Sequence, residues 1–135
     1  MNAEIDHLGI AVRSLAEGLR FYEKALGMTV SLRETVESEG VHVAMLPAGA
    51  SAGAPNLELL EGSNENSTIT RFIKSRGPGL HHVALRVDDL MTVVDRLRSE
   101  GCRVLHEPRT GAGGHQYVFV HPHSTGGVLL ELIQK

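Results

Sequence analysis

Tryptophan is absent from this chain, and the aromatic residues amount to three Phe and two Tyr. A surface that holds its partner by stacking bases on aromatic rings is therefore not expected. The single cysteine, Cys102, excludes an internal disulfide. It follows a helix-ending glycine in no electropositive setting and reads as inert. No apolar run approaches the roughly 20 residues that a membrane-spanning helix needs. Met1-Asn2-Ala3-Glu4 leads straight into an apolar stretch, without the charged, apolar and small-residue succession of a signal peptide, so a cytoplasmic protein is expected. Positive charge is not in excess either. Thirteen Lys and Arg stand against sixteen Asp and Glu, for a net charge of -3 and a pI near 6.2, which argues against nucleic acid as a partner. The remainder is ordinary: 135 residues, 41% hydrophobic and 21% charged, enough for one domain or two small halves sharing a core.

The informative signal is an internal repeat. Ile5-Asp6-His7-Leu8-Gly9-Ile10-Ala11-Val12 resembles Leu80-His81-His82-Val83-Ala84-Leu85-Arg86-Val87, each an apolar, strand-like run with a histidine near its start. A helix follows each run. In the first half Ser14 to Glu17 forms a capping box, Leu15, Leu19, Tyr22 and Leu26 form one face, and Gly27 ends the helix. In the second half Asp88 or Asp89 can cap, Leu90, Val93, Val94 and Leu97 form the face, and Gly101 closes it. Strand candidates then lie near 28–36, 41–47 and 56–61, and again near 103–107, 116–121 and 128–134. The Ala- and Gly-rich loop 48–55 and the Gly-rich loop 109–115 are placed alike. Ser67 can cap a short connecting helix that ends at Gly77-Pro78-Gly79. The expected fold is α+β: two paired β-α-β-β-β modules, about 4–62 and 79–135, joined by a helical linker within one domain spanning 1–135. The modules form a curved mixed sheet around a metal site.

The last strands of the halves also correspond. Leu57-Glu58-Leu59-Leu60 matches Leu130-Glu131-Leu132-Ile133, with 51 positions between His7 and Glu58 and 49 between His82 and Glu131. Strand side chains alternate between faces. Leu8, Ile10 and Val12 therefore turn toward the helix and His7 away from it. Val83, Leu85 and Val87 turn toward the helix and His82 away. Glu58 and Glu131 stand opposite the leucines that flank them. One strand histidine alone is ordinarily structural, and one strand glutamate is ordinarily solvated. Repetition of both at matched positions points instead to two imidazoles and two carboxylates on one concave face. A buried carboxylate between leucines is costly unless paired or metal-bound. The set suits a divalent ion such as Co, Mn, Ni or Zn. His81 falls on the other face and reads as structural. His106, His121 and His123 read as surface or loop residues. The glycines at 111, 113 and 114 lack the Gly-Lys-Ser/Thr ending of a phosphate loop.

With these segments in view, the chain resembles the vicinal-oxygen-chelate superfamily, which includes glyoxalase I, extradiol dioxygenases, bleomycin-resistance proteins and methylmalonyl-CoA epimerases. It resembles the epimerase family more closely, over nearly its whole length. The more specific segments are Asn66-Ser67-Thr68-Ile69, Gly79-Leu80-His81-His82-Val83-Ala84, and His121-Pro122-His123-Ser124 through Gly126-Gly127 to Glu131. The resemblance implies that His7, Glu58, His82 and Glu131 hold the metal, that the substrate is an acyl-CoA whose (R) and (S) forms interconvert through an enolate, and that the protein pairs into a homodimer. Glu58 stands where some epimerases have Gln. Some also carry a glutamate acid/base in a Gly-Val-x-Glu segment that reads Gly40-Val41-His42-Val43 here, and alternation sends His42 to the opposite face. The expectation is that Glu131 doubles as ligand and base, with His115 or a water completing the pair. A glyoxalase I-like lactoylglutathione lyase and a non-catalytic small-molecule-binding protein of the same fold are the alternatives.

Overall fold

The computed structural model describes residues 2–135. The backbone runs β1 (Ala3–Ala11), α1 (Leu15–Leu19, continuing as a π-helical segment over Arg20–Ala25), β2 (Leu32–Val36), β3 (Val41–Pro47), β4 (Asn56–Gly62), α2 (Thr68–Arg76), β5 (Gly79–Val87), α3 (Leu90–Ser99), β6 (Arg109–Thr110), β7 (Gln116–Val120), α4 (Pro122–Thr125) and β8 (Leu130–Gln134). Two compact units emerge. One holds the residues up to His7 together with His82–Lys135, and the other holds Leu8–His81. The boundary cuts β1 after its histidine and β5 before its second histidine.

In the Leu8–His81 unit, β2, β3 and β4 form an antiparallel meander. The register pairs Ala44 with Leu59 and Leu46 with Leu57, which puts these four on one face. They pack there with Ile10, Val12, Leu15 and Leu19. Ala44, Leu46 and Leu59 are fully buried; burying a leucine of this kind stabilises by about 1.5–3 kcal/mol relative to exposure. The opposite face carries Val43, Met45, Glu58 and Leu60. Ser14 Oγ accepts the Glu17 N–H at 3.1 Å, so the expected cap forms. A Cβ at Gly18, mid-helix, would lie 3.0 Å from side-chain carbons of both Leu59 and Val12, so glycine lets the helix lie close on the sheet without moving them. Leu26 does not join the buried face and is 59% exposed. The cause is the π segment: the Leu26 N–H bonds to the Phe21 carbonyl five residues back, at 2.8 Å, which turns the helix end off the 3.6-residue register. Met28 and Val30, expected in a strand, pack against the core before β2 begins.

In the other unit, β5 and β8 pair in parallel, while β8–β7 and β7–β6 are antiparallel. Val87, Val118, Val120 and Leu132 form the apolar face, with Leu85 and Leu130 beside them, against Leu90, Val93 and Val94 of α3. Asp89 Oδ1 caps α3 by accepting the Thr92 N–H at 3.2 Å. The expected strand over 103–107 is reduced to a single bridge, Val104 with Val120. His106 explains the interruption. Its ring Nε2 accepts the Phe119 N–H at 3.3 Å, so a side chain takes over an acceptor role along that edge. Pro108, which has no N–H to give, follows. Pairing resumes as the two-residue β6, in the segment read from sequence as loop. No helix among the described residues is long and apolar enough to cross a membrane.

Candidate active site

The face of the second unit turned away from α3 carries the chemistry. Alternation puts His82 and Ala84 on that face of β5. The parallel register sets Ala84 beside Glu131, and the antiparallel register sets Glu131 beside Phe119. Ala84, fully buried, leaves room where a larger side chain would fill the space between His82 and Glu131. The His82 ring meets Phe119 edge-on, with centroids 5.3 Å apart. His7 reaches the same place from β1. Its Nε2 lies 3.1 Å from His82 Nε2 and 3.4 Å from Glu131 Oε2, while His82 Nε2 is 3.6 Å from Glu131 Oε1. His7, His82 and Glu131 are all buried. Three of the four residues singled out from the repeat are thus together, with two ring nitrogens and a carboxylate converging.

The fourth, Glu58, occupies the equivalent position in its own unit. It is buried on β4, paired with Met45, on the face away from Leu57 and Leu59. The register also confirms the reading of Val43 and His42. Val43 shares Glu58's face. His42 lies on the helix side, level with Thr35 and Glu61, and its Nδ1 is 2.8 Å from Thr35 Oγ1. Glu61 serves the helix: its Oε1 accepts the Leu15 N–H at 2.7 Å. His115 is half-buried after the short 3-10 turn Ala112–Gly114, and its carbonyl accepts the Gly111 N–H. His81 is structural, as expected. Its ring meets Phe72 edge-on at 5.0 Å, and burial, aided by the Arg76 charge, lowers its pKa to about 4, so it stays neutral near pH 7.

Sequence reasoning missed Asp6. This residue is 1% exposed, and its Oδ2 lies 2.7 Å from His7 Nδ1. Its Oδ1 faces Lys135 Nζ at 3.0 Å and Arg86 Nη1 at 3.3 Å, and Arg86 Nη2 also binds Glu4 at 2.5 Å. Burial alone would raise the Asp6 pKa. The hydrogen bond from His7 and the interactions with Lys135 outweigh it and hold the value at about 2. An ionised carboxylate only accepts, so His7 Nδ1 donates to Asp6, while Nε2 faces His82 and Glu131. The arrangement fits a divalent ion. Imidazole nitrogen and carboxylate oxygen are its usual donors, and a cation offsets the cost of keeping Glu131 ionised in a buried place. The only sequence signal was the adjacency of Asp6 to His7.

Comparison with known proteins agrees with this geometry. Residues 6–119 match the family model of the Glyoxalase/Bleomycin resistance protein/Dioxygenase superfamily. The chain is 34% identical to the ethylmalonyl-CoA/methylmalonyl-CoA epimerase of Cereibacter sphaeroides, covering 99% of each chain. It is 35% identical to the mitochondrial methylmalonyl-CoA epimerase of Mus musculus, over 96% of this chain and 72% of the relative. The solved structure of a methylmalonyl-CoA epimerase in complex with methylmalonyl-CoA and NH4+ superposes with a TM-score of 0.94 at 36% identity, covering 100% of this chain and 96% of that one. The chain therefore has the glyoxalase, or vicinal-oxygen-chelate, fold and belongs to that superfamily and, within it, to the methylmalonyl-CoA epimerase family.

Proposed function

We propose that this protein is an epimerase that interconverts (R)- and (S)-methylmalonyl-CoA by removing and returning the α-proton through an enolate. The observation that supports this most is the convergence of His7, His82 and Glu131, in a chain matched end to end by epimerases. His7, Glu58, His82 and Glu131 are proposed as the ligands of a divalent ion (Co, Mn, Ni or Zn). Each is a buried imidazole or carboxylate, and the repeat assigns Glu131 the role in its half that Glu58 has in the other. A bound divalent ion supplies charge stabilisation for substrate oxygens as the α-proton leaves. The residues of the chain do the rest. His7 and His82 present ring nitrogens held by buried strands. Glu131, the most exposed of the buried trio at 8%, is the proposed base that takes the α-proton. Inversion needs a proton returned on the other face, and His115 or a water is proposed for that step. Phe119, edge-on to His82, is the register partner of Glu131 on β7.

The test is α-proton exchange of methylmalonyl-CoA in deuterated water, with metal-stripped protein and after adding cobalt. Cobalt-dependent deuterium incorporation with loss of stereochemistry is the expected result. Stoichiometric cobalt binding without exchange would remove the epimerase reading, and lactoylglutathione formation from a glutathione hemithioacetal would replace it with the lyase. The cytoplasmic location and the homodimer remain part of the same proposal; light scattering of the purified chain tests the second.

A further inference from the structure

We propose that Asp6 is a positioning residue of this site: its buried carboxylate fixes His7 as the Nδ1-protonated tautomer and aims Nε2 at the bound ion. This inference rests on the metal reading above and adds a function for residues outside the repeated quartet.

The geometry is specific. Neighbouring strand residues ordinarily point to opposite faces, yet Asp6 and His7 are both buried, and a carboxylate oxygen of one lies 2.7 Å from the ring nitrogen of the other. The second oxygen is held independently by Lys135 at 3.0 Å and Arg86 at 3.3 Å. Arg86 in turn is anchored by Glu4. Three parts of the chain (β1, β5 and the residue after β8) thus restrain one carboxylate. Turning it away from His7 would disturb two cation contacts as well as one hydrogen bond. A carboxylate that receives the far N–H of a ligating histidine locks the tautomer, fixes the ring plane and raises the donor strength of the near nitrogen. The second half of the repeat has no such residue before its histidine. His81 stands in the place of Asp6, and its ring packs on Phe72. The His82 ring lies edge-on to Phe119, with centroids 5.3 Å apart.

The experiment uses the full chain, stripped of metal, with Asp6→Ala and Asp6→Asn beside the parent. Cobalt affinity is measured by chelator competition, folding by circular dichroism, and ring protonation by nitrogen NMR of the histidines. Asp6→Ala is expected to weaken cobalt binding about 10–100-fold. Asp6→Asn, which keeps a hydrogen-bond acceptor but not the charge, is expected to recover part of that loss. In the parent, His7 is expected to carry its proton on Nδ1 with and without cobalt. Cobalt affinity within twofold of the parent in a folded Asp6→Ala protein would overturn the proposal, as would an Nε2-protonated His7. If Asp6→Ala does not fold, Asp6→Asn and the parent's ring protonation decide by the same criteria. Failure of the parent itself to bind cobalt would instead remove the metal reading on which the proposal stands.

Discussion

The two histidine strands start from the same pattern and are supported by different physics. In β1, His7 is preceded by a buried aspartate tied to Arg86 and Lys135. In β5, His82 is preceded by His81, which is half-buried against Phe72 and kept neutral. Both preceding residues have a lowered pKa, and the meaning is opposite: Asp6 remains charged and His81 remains uncharged. A repeated frame can thus hold two histidines at equivalent places while a charged residue precedes one and a neutral ring the other. On the carboxylate side the halves agree more closely, since Glu58 and Glu131 both sit on the face away from the helix, each followed by a buried leucine, Leu59 and Leu132.

The sharpest break of that equivalence is expected at the carboxylates. Glu131→Gln should lower α-proton exchange about 10³-fold, the size of a lost general base. Glu58→Gln keeps an oxygen donor and should cost tenfold or less, roughly. Equal losses in the two variants would mean that Glu131 acts only as a ligand, and single-turnover exchange measures the difference. Next in size is the core beneath each half. Leu59→Ala should destabilise the chain by about 2–5 kcal/mol in urea unfolding, because the side chain is fully enclosed by the α1 face.

A smaller effect separates His81 from Asp6 by pH. The folded pKa of His81 lies near 4, below the usual 6.5, so in that window the unfolded chain binds a proton that the folded chain refuses. Stability from this group is present above about pH 6.5 and is lost as pH falls toward 4, on the order of 1–3 kcal/mol. His81→Phe should flatten that part of the stability curve of metal-stripped protein, measured as the urea midpoint between pH 4 and 7. Asp6, with a folded pKa of about 2 against 3.8, contributes stability above pH 4 that is lost only as pH falls toward 2. The smallest effect is expected at Leu26. Leu26→Ser should change stability by less than about 0.5 kcal/mol, because the π segment leaves that side chain in solvent.

The repeat was legible because each of its signals is local. Ser14, Asp89 and Ser67 cap helices through atoms two or three residues away. Alternation sorts Ile10 and Val12, or Leu85 and Val87, to the helix side with no knowledge of the partner strand. The same rule placed Glu58 and Glu131 on the opposite face and separated His42 from Val43. Local periods failed where another contact overrode them. The π turn moved Leu26, the His106 ring broke the strand at 103–107, and Arg86 and Lys135 drew Asp6 inward beside His7.

What the amino-acid order determined by itself, then, was the succession of elements, the repeated His and Glu positions and the apolar faces, since hydrophobic period and capping act over a few residues. What only the tertiary structure decided was the 3.1 Å approach of two ring nitrogens 75 positions apart and the recruitment of Asp6 behind one of them. Those depend on strand pairing and register, and a buried charge settles only where its distant counter-charges arrive.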